Sequence, residues 1–375
     1  MSNFALKTNI FVRMKIGFII VILISLAVNV YVLWHVYQVL PFPTWGKWTV
    51  VVLMAAALVM MFTGIFGAFN RMPLWLASAT YDISTSWLIV FLYLLIIFLV
   101  LDLGRLVHLV PKEWLHSNAW TAASITVAIA GLLIYGNIHY HNKVRESLTL
   151  TTGKHLSAPV KVVMLSDLHL GYHNRKAEWQ RWVKMINDEK PDLILVAGDI
   201  IDGYVRPLLE ENMAADFRQL NAPVVACLGN HEYISGIDKS LDFYKQAGIT
   251  LLRDSVVTLG DVVIAGRDDR SNSKRKTVEQ LTANADKSKY LILLDHQPYH
   301  LEEAQKAGID FQLSGHTHEG QVWPISMLVH KMYENAWGFC QKGDTRYYVS
   351  SGLGIWGGKY RIGTRSEYIV ATIQN

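Results

Sequence analysis

A helix needs about 20 apolar residues in a row to cross a bilayer, and this chain offers four such runs before residue 140. Ile16–Leu40 is uncharged and ends at Pro41-Phe42-Pro43. Trp48–Phe69 lies between Lys47 and Arg71, Ile83–Leu101 between Asp82 and Asp102, and Asn118–Ile138 between Glu113 and Lys143. Trp45, Trp48, Trp87, Trp114 and Trp120 stand at or near the ends of the runs, where aromatic belts form. The first run is too long for the apolar core of a signal peptide, and no small-residue cleavage site follows it. The sequence therefore predicts a four-helix transmembrane region over residues 1–140, with spans near 16–40, 48–69, 83–105 and 118–138.

Basic residues in the short flanks set the orientation. Lys7, Arg13, Lys15, Arg71, Lys143, Arg145 and Lys154 fall on one side, against Lys47, Arg105 and Lys112 on the other. This bias predicts a multi-pass protein with a cytoplasmic N-terminus, and an even number of spans returns the C-terminal part to the cytoplasm. Asp102 and Arg105 share a helix face and can pair. With His108 they read as the end of a helix that has reached the headgroups. Asn29 reads as an interhelical hydrogen-bonding group.

The composition changes near residue 150. Only nine of the 35 Lys/Arg and four of the 31 Asp/Glu precede it, so the low charged fraction of 18% belongs to the first part. That split excludes a single soluble globule and a disordered chain. Two cysteines, Cys227 and Cys340, give no disulfide framework. A net charge of +4 gathered at span flanks is no nucleic-acid footprint. Residues 141–159 are polar, end at Pro159 and read as a linker, leaving 160–375 as a second domain.

In that domain short apolar runs each lead into a polar cluster. Val160–Leu165 leads into Ser166-Asp167-Leu168-His169, and Leu193–Ala197 into Gly198-Asp199-Ile200-Ile201-Asp202. Pro223–Leu228 leads into Gly229-Asn230-His231-Glu232, Leu291–Leu294 into Asp295-His296, and Phe311–Leu313 into Ser314-Gly315-His316-Thr317-His318. Helical segments intervene, such as Lys176–Asn187 and Met213–Leu220, so the pattern is α/β. Ligands of such sheets bind at the carboxyl ends of the strands. Carboxylate, imidazole and amide oxygen gathered there suit divalent ions of borderline hardness: Mn, Fe, Zn, Co or Ni.

These five blocks, in this order, resemble the motif set of the calcineurin-like metallophosphoesterases. Their separations are typical as well, with 32 residues from Asp167 to Asp199 and 31 more to Asn230. The run through Gly320-Gln321 and the tail Tyr348–Gly354 further resemble the membrane-anchored subgroup, transmembrane proteins with a metallophosphoesterase domain. Glu319 departs from that subgroup, which more often has Gly after the last His, and bears on the substrate mouth. The resemblance implies a four-layer α/β/β/α sandwich. It implies that Asp167, His169 and His318 bind one metal, that Asn230, His296 and His316 bind the other, and that Asp199 bridges both. Water shared by two such ions ionises near neutral pH and attacks phosphorus in line. By resemblance His231 sits over the substrate as the catalytic acid or phosphorane-stabilising group. Asp202 reads as a partner that orients a ligand, and His173 as a substrate contact.

The chain thus reads as a membrane-anchored phosphohydrolase of phosphoester or pyrophosphate bonds. The bilayer is its partner, and the anchor points to a lipid-linked phosphate substrate. The alternatives are a catalytically weak membrane sensor or scaffold and a phosphodiesterase of soluble nucleotides. Two further features bear on the lipid. Arg267, Arg270, Lys274, Arg275 and Lys276 form a basic loop that could attract anionic headgroups. The apolar stretch from Trp323 to Phe339 reads as core or as a lip that admits an acyl chain.

Overall fold

The computed structural model describes residues 24–65 and 67–375. They form two compact units, the described residues up to 68 with 83–133, and residues 69–82 with 134–375.

The first unit is helical. It holds α1 (Ile24–Val39), α2 (Thr44–Ile65), most of α3 (Leu74–Leu106) and most of α4 (Ala119–His141). Among the described residues α3 and α4 are long and apolar enough to cross a membrane. Their side chains include exposed Leu103, Val127 and Ile134, as a lipid-facing surface requires. Residues 16–23 of the expected first span lie outside the described residues. The expected second span overruns its helix, because α2 stops at Ile65 and Phe69 falls in a short 3-10 turn. The third helix starts nine residues before the apolar run, at Leu74, since Ser78, Thr80, Tyr81 and Asp82 are polar but helix-compatible. Asp102 is not a bare helix end. It accepts a 2.8 Å hydrogen bond from the Tyr31 hydroxyl and lies 3.0 Å from His35 Nε2 and 3.4 Å from Arg105.

The second unit contains two six-stranded sheets. The strands in chain order are β1 (Lys143–Thr151), β2 (Val160–Leu165), β3 (Leu193–Ala197), β4 (Val224–Cys227), β5 (Thr250–Leu251) and β6 (Ser255–Leu259). They continue as β7 (Val262–Gly266), β8 (Tyr290–Leu294), β9 (Phe311–Ser314), β10 (Gly338–Lys342), β11 (Thr345–Val349) and β12 (Ser366–Gln374). One sheet runs β1-β12-β2-β3-β4-β5 and the other β10-β11-β9-β8-β7-β6. β2 to β5 are parallel, as are β7, β8, β9 and β11, so the ends of β2, β3, β4, β8 and β9 all release loops in the sense that α/β ligand sites use.

Between the sheets Val162, Met164 and Leu195 pack with Ile264, Ile292 and Leu313. On the outer face of the first sheet Val163 and Ile194 pack with Trp179, Phe217 and Phe243 of the helices Lys176–Asp188, Met213–Phe217 and Ile237–Ala247. Val263 and Leu293 of the second sheet meet helices Val278–Thr282 and Leu301–Ala307. The four-layer order expected from the resemblance is therefore present.

The expected linker is not one. Residues 143–151 form β1, paired in parallel with β12 along its whole length, from Lys143 opposite Ser366 to Thr151 opposite Gln374. Its polar, half-exposed alternation is that of an edge strand, and Leu150 is fully buried in the core between the sheets. Leu150→Ala is expected to cost about 2–5 kcal/mol by cavity formation, read as a lowered thermal midpoint of the purified full-length protein. An unchanged midpoint would mean that β1 is not part of the domain core.

Candidate metal centre

Every motif residue is delivered by a loop that leaves a buried strand. Five of them, Asp167, His169, Asp199, His316 and His318, have positive φ angles between 44° and 71°. Non-glycine residues avoid that region, so such a cluster stores strain that the surrounding packing has to sustain. Two glycines are required by proximity. A Cβ at Gly229 would overlap Asp199 Oδ1, and one at Gly315 would overlap Asp167 Oδ2.

Three sets of side chains offer ligand atoms within 4.8 Å of one another: Asp167, His169 and His318; Asp199, His296 and His316; and His169, Asp199 and His231. The first holds the three residues expected around one metal, and the second brings Asp199 together with His296 and His316 of the other expected set. Asn230 joins the second, with its Oδ1 2.8 Å from His316 Nδ1. Asp199 lies between the two, with Oδ2 3.1 Å from His296 Nε2 and 3.6 Å from His169 Nε2.

The imidazole tautomers fit metal binding. His296 Nδ1 lies 2.7 Å from the Ala197 carbonyl, which can only accept, so Nδ1 carries a proton and Nε2 is the atom left to face a cation once its own proton is displaced. That Nε2 is buried and makes no hydrogen bond of proper geometry. His169 is held likewise, with Nδ1 3.2 Å from Asp202 Oδ1. The Nε2 atoms of His169 and His318 then face each other at 3.1 Å, an approach that a shared cation resolves.

The electrostatics agree. Burial disfavours the charged forms of Asp167, Asp199 and Asp202, yet the neighbouring histidines hold all three below the usual carboxylate range. Burial pushes His316 down to about 4 and His318 to about 3, so both are neutral donors. Burial also opposes charge on His169, but its hydrogen bonds to Asp167 and Asp202 outweigh this and raise it to about 10. Asp199 raises His296 in the same way, against burial. A divalent ion entering this set displaces protons from the raised histidines, so metal affinity falls as pH falls.

Asp202 lies beside His169. Its carboxylate is buried, with Oδ1 against His169 and 3.3 Å from His231 Nδ1. The His231 ring is partly exposed and stands edge-on to His169 with centroids 4.5 Å apart. His173 is not placed to touch a substrate. Its side chain is buried, its Nε2 bonds the Ile355 carbonyl, and burial lowers it to about 4. Glu319 is half-buried in a left-handed conformation beside the ligand loop, 3.5 Å from His330, and burial raises its carboxyl. Asp295 orients no ligand side chain among the described contacts; it pairs with Arg267 and Arg275 at 3.1 and 3.0 Å. Those pairs engage two of the five basic residues that sequence suggested for anionic lipid.

Three supporting residues had no role in the sequence reading. Glu232 is fully buried and accepts hydrogen bonds from the backbone N–H groups of Asp199, Ile201 and Gly229, which ties two ligand loops together. Its position directly after Asn230-His231 was the available signal. Arg361 is buried and donates to the carbonyls of His318, Ser351 and Gly354, with burial lowering it to about 10. Tyr81, remote in sequence, donates to Asp202.

Residues 160–320 match the family model for calcineurin-like phosphoesterases. An uncharacterized metallophosphoesterase of Aquifex aeolicus is 34% identical over 241 residues, which is 61% of this chain and 91% of that protein. The chain belongs to the calcineurin-like metallophosphoesterases. It is therefore a metal-dependent phosphoesterase, and the His/Asp groups above are its candidate metal-binding residues. The zebrafish (Danio rerio) transmembrane protein with metallophosphoesterase domain is 26% identical over 355 residues, covering 85% of this chain and 79% of that one. Among solved structures, Haemophilus influenzae NAD nucleotidase is similar at 18% identity and a TM-score of 0.37 over 53% of this chain, which spans 46% of the nucleotidase.

Gly229→Ala is expected to force Asp199 off its position and to lower both bound metal and turnover by at least about tenfold, the scale of supporting-residue losses at metal sites. Elemental analysis of the purified protein reads the metal. Full metal content in this variant would contradict the close approach of Gly229 to Asp199.

Proposed function

We propose that this chain is a membrane-anchored, dinuclear-metal phosphohydrolase acting on a lipid-linked phosphoester or pyrophosphate. The observation that carries the dinuclear part is the presence of two separate three-residue groups, Asp167, His169 and His318 and Asp199, His296 and His316, with Asp199 also near His169. Asp167, His169 and His318 would hold one cation and Asn230, His296 and His316 the other, with Asp199 available to both. Two such cations supply Lewis acidity and a nucleophile at neutral pH. The chain's own residues do the rest. The carboxylates and imidazoles fix the spacing of the cations, and the strained loops keep them preorganised. Asp202 Oδ1 lies 3.3 Å from His231 Nδ1, and in the doubly protonated ring that contact leaves the Nε2–H to protonate the leaving oxygen. The motif resemblance supports His231 as a proton donor and not a ligand, although it also falls in the third group of possible ligands.

The lipid part is supported by surface chemistry. Helix Ile325–Met332 follows the ligand loop closely and exposes Met327, Leu328 and Met332, with Trp323 and Phe339 exposed beside it. An apolar lip next to a phosphoesterase centre suits a substrate with an acyl chain. Arg270 lies over the Tyr299 ring at 4.3 Å, Tyr299 bonds Tyr333, and the Tyr333 ring lies 6.4 Å from His316. That arginine has no ion-pair partner among the described residues and suits a second anionic group on the substrate. The anchor is four spans with the N-terminus and the catalytic domain cytoplasmic. The flank charges support that orientation, and α3 and α4 support spanning.

With Mn²⁺ supplied, the full-length protein is expected to hydrolyse an aryl phosphodiester, and chelation is expected to abolish this reversibly. His231→Ala should lower kcat by about 10²–10⁴-fold with metal content unchanged. Metal loss in that variant would make His231 a ligand instead. Leu328→Glu should raise KM for a lipid pyrophosphate in micelles by roughly tenfold, the worth of one buried leucine, and leave the soluble aryl ester untouched. Equal effects on both substrates would count against the lipid reading.

A further inference from the structure

The family match begins at residue 160, yet a group in direct contact with the site's proton-handling carboxylate comes from the start of α3. Tyr81 belongs to the same compact unit as the metal centre and is 6% exposed. Its hydroxyl donates to Asp202 Oδ2 at 2.6 Å. Its ring stacks on His173, with centroids 5.2 Å apart and planes 16° apart, and packs with Phe69 and Tyr172 in a small apolar cluster.

Asp202 divides its two oxygens. Oδ1 faces the Nδ1 atoms of His169 and His231, at 3.2 and 3.3 Å. Oδ2 faces Tyr81 and, at 3.8 Å, His173 Nδ1. A buried carboxylate can rotate about its last bond, and two imidazoles on one oxygen leave that rotation poorly fixed. A short hydrogen bond to the opposite oxygen fixes it. A phenol suits the task because it donates without neutralising the carboxylate, whose charge remains available to the imidazole it orients. A lysine or arginine in its place would compete with His231 for that charge.

We propose that Tyr81, supplied by the first turns of α3, is a positioning residue that locks Asp202 in the rotation that orients His231 for proton transfer. This rests on the reading of His231 as the proton donor. It gives α3 a part in turnover that tethering alone does not require.

The test is a double-mutant cycle in the full-length, detergent-solubilised protein with Mn²⁺, using an aryl phosphodiester and the variants Tyr81→Phe, His231→Ala and both together. Tyr81→Phe keeps the ring and removes one oxygen, and equal thermal midpoints confirm that the fold is kept. Loss of a charged hydrogen bond predicts a fall in kcat of about tenfold, with KM and bound metal unchanged. In the His231→Ala background the same change is expected to have no further effect. Tyr81→Phe with full kcat beside an impaired His231→Ala would overturn the proposal alone. So would an equal loss in both backgrounds, or a loss of metal. His231→Ala indistinguishable from wild type would overturn the reading of His231 and the proposal with it.

Discussion

Asp199 is 1% exposed, and its carboxylate has His169 and His296 within 3.6 Å and the His231 backbone N–H at 2.9 Å. Burying a carboxylate is costly unless charge and hydrogen bonds compensate it, and here the compensation comes from three separate stretches of chain. The constraint spreads outward. Gly229 has to lack a side chain so that Asp199 can approach it, and Glu232 has to bind the loops of Asp199 and Gly229 together. Five site residues take left-handed backbone angles that only a well-packed scaffold sustains. The two sheets supply that scaffold, because parallel strands end at a common level and release their loops toward one place.

The candidate ligand set was legible in the sequence because each residue closely follows a short apolar strand. A buried strand announces itself by hydrophobicity, and a ligand at its end is displaced by only a few residues. The sandwich was legible for the same reason. β1 was not, because Lys143–Thr151 is an edge strand whose alternation of Lys143, Arg145, Glu146, Ser147 and Thr149 resembles a solvated linker. The start of α3 was missed because span-finding follows apolar runs, and the helix reaches back to Leu74 through polar residues. His173 looked like a substrate contact by its place near a motif. Proximity in sequence says nothing of burial, and the ring is turned inward against Tyr81 and Ile355.

Two helices that begin or end in apolar sequence contribute directly to the catalytic domain. At the end of α4, Tyr140 donates to Asn174 at 2.6 Å, and Asn174 in turn donates to the Leu168 carbonyl between Asp167 and His169. The Arg361 N–H donates to the Gly136 carbonyl at 2.9 Å, while its guanidinium holds the loop of His318. At the start of α3, Tyr81 holds Asp202. An anchor needs none of these contacts. They make the ends of the helices part of the framework that sets the metal ligands, and they give the N-terminal region a structural part in the site beyond holding it at a surface.

The central claim is that Asp199 sits between two cations held by this chain. The most direct measurement is the metal content of the purified full-length protein at saturation, by elemental analysis against protein concentration, with occupancy of the two positions located by anomalous diffraction. Two ions per chain, one beside Asp167 and His318, the other beside His296 and His316, with the Asp199 carboxylate touching both, is the predicted result. One ion per chain at saturation, or two ions without Asp199 between them, would contradict the account.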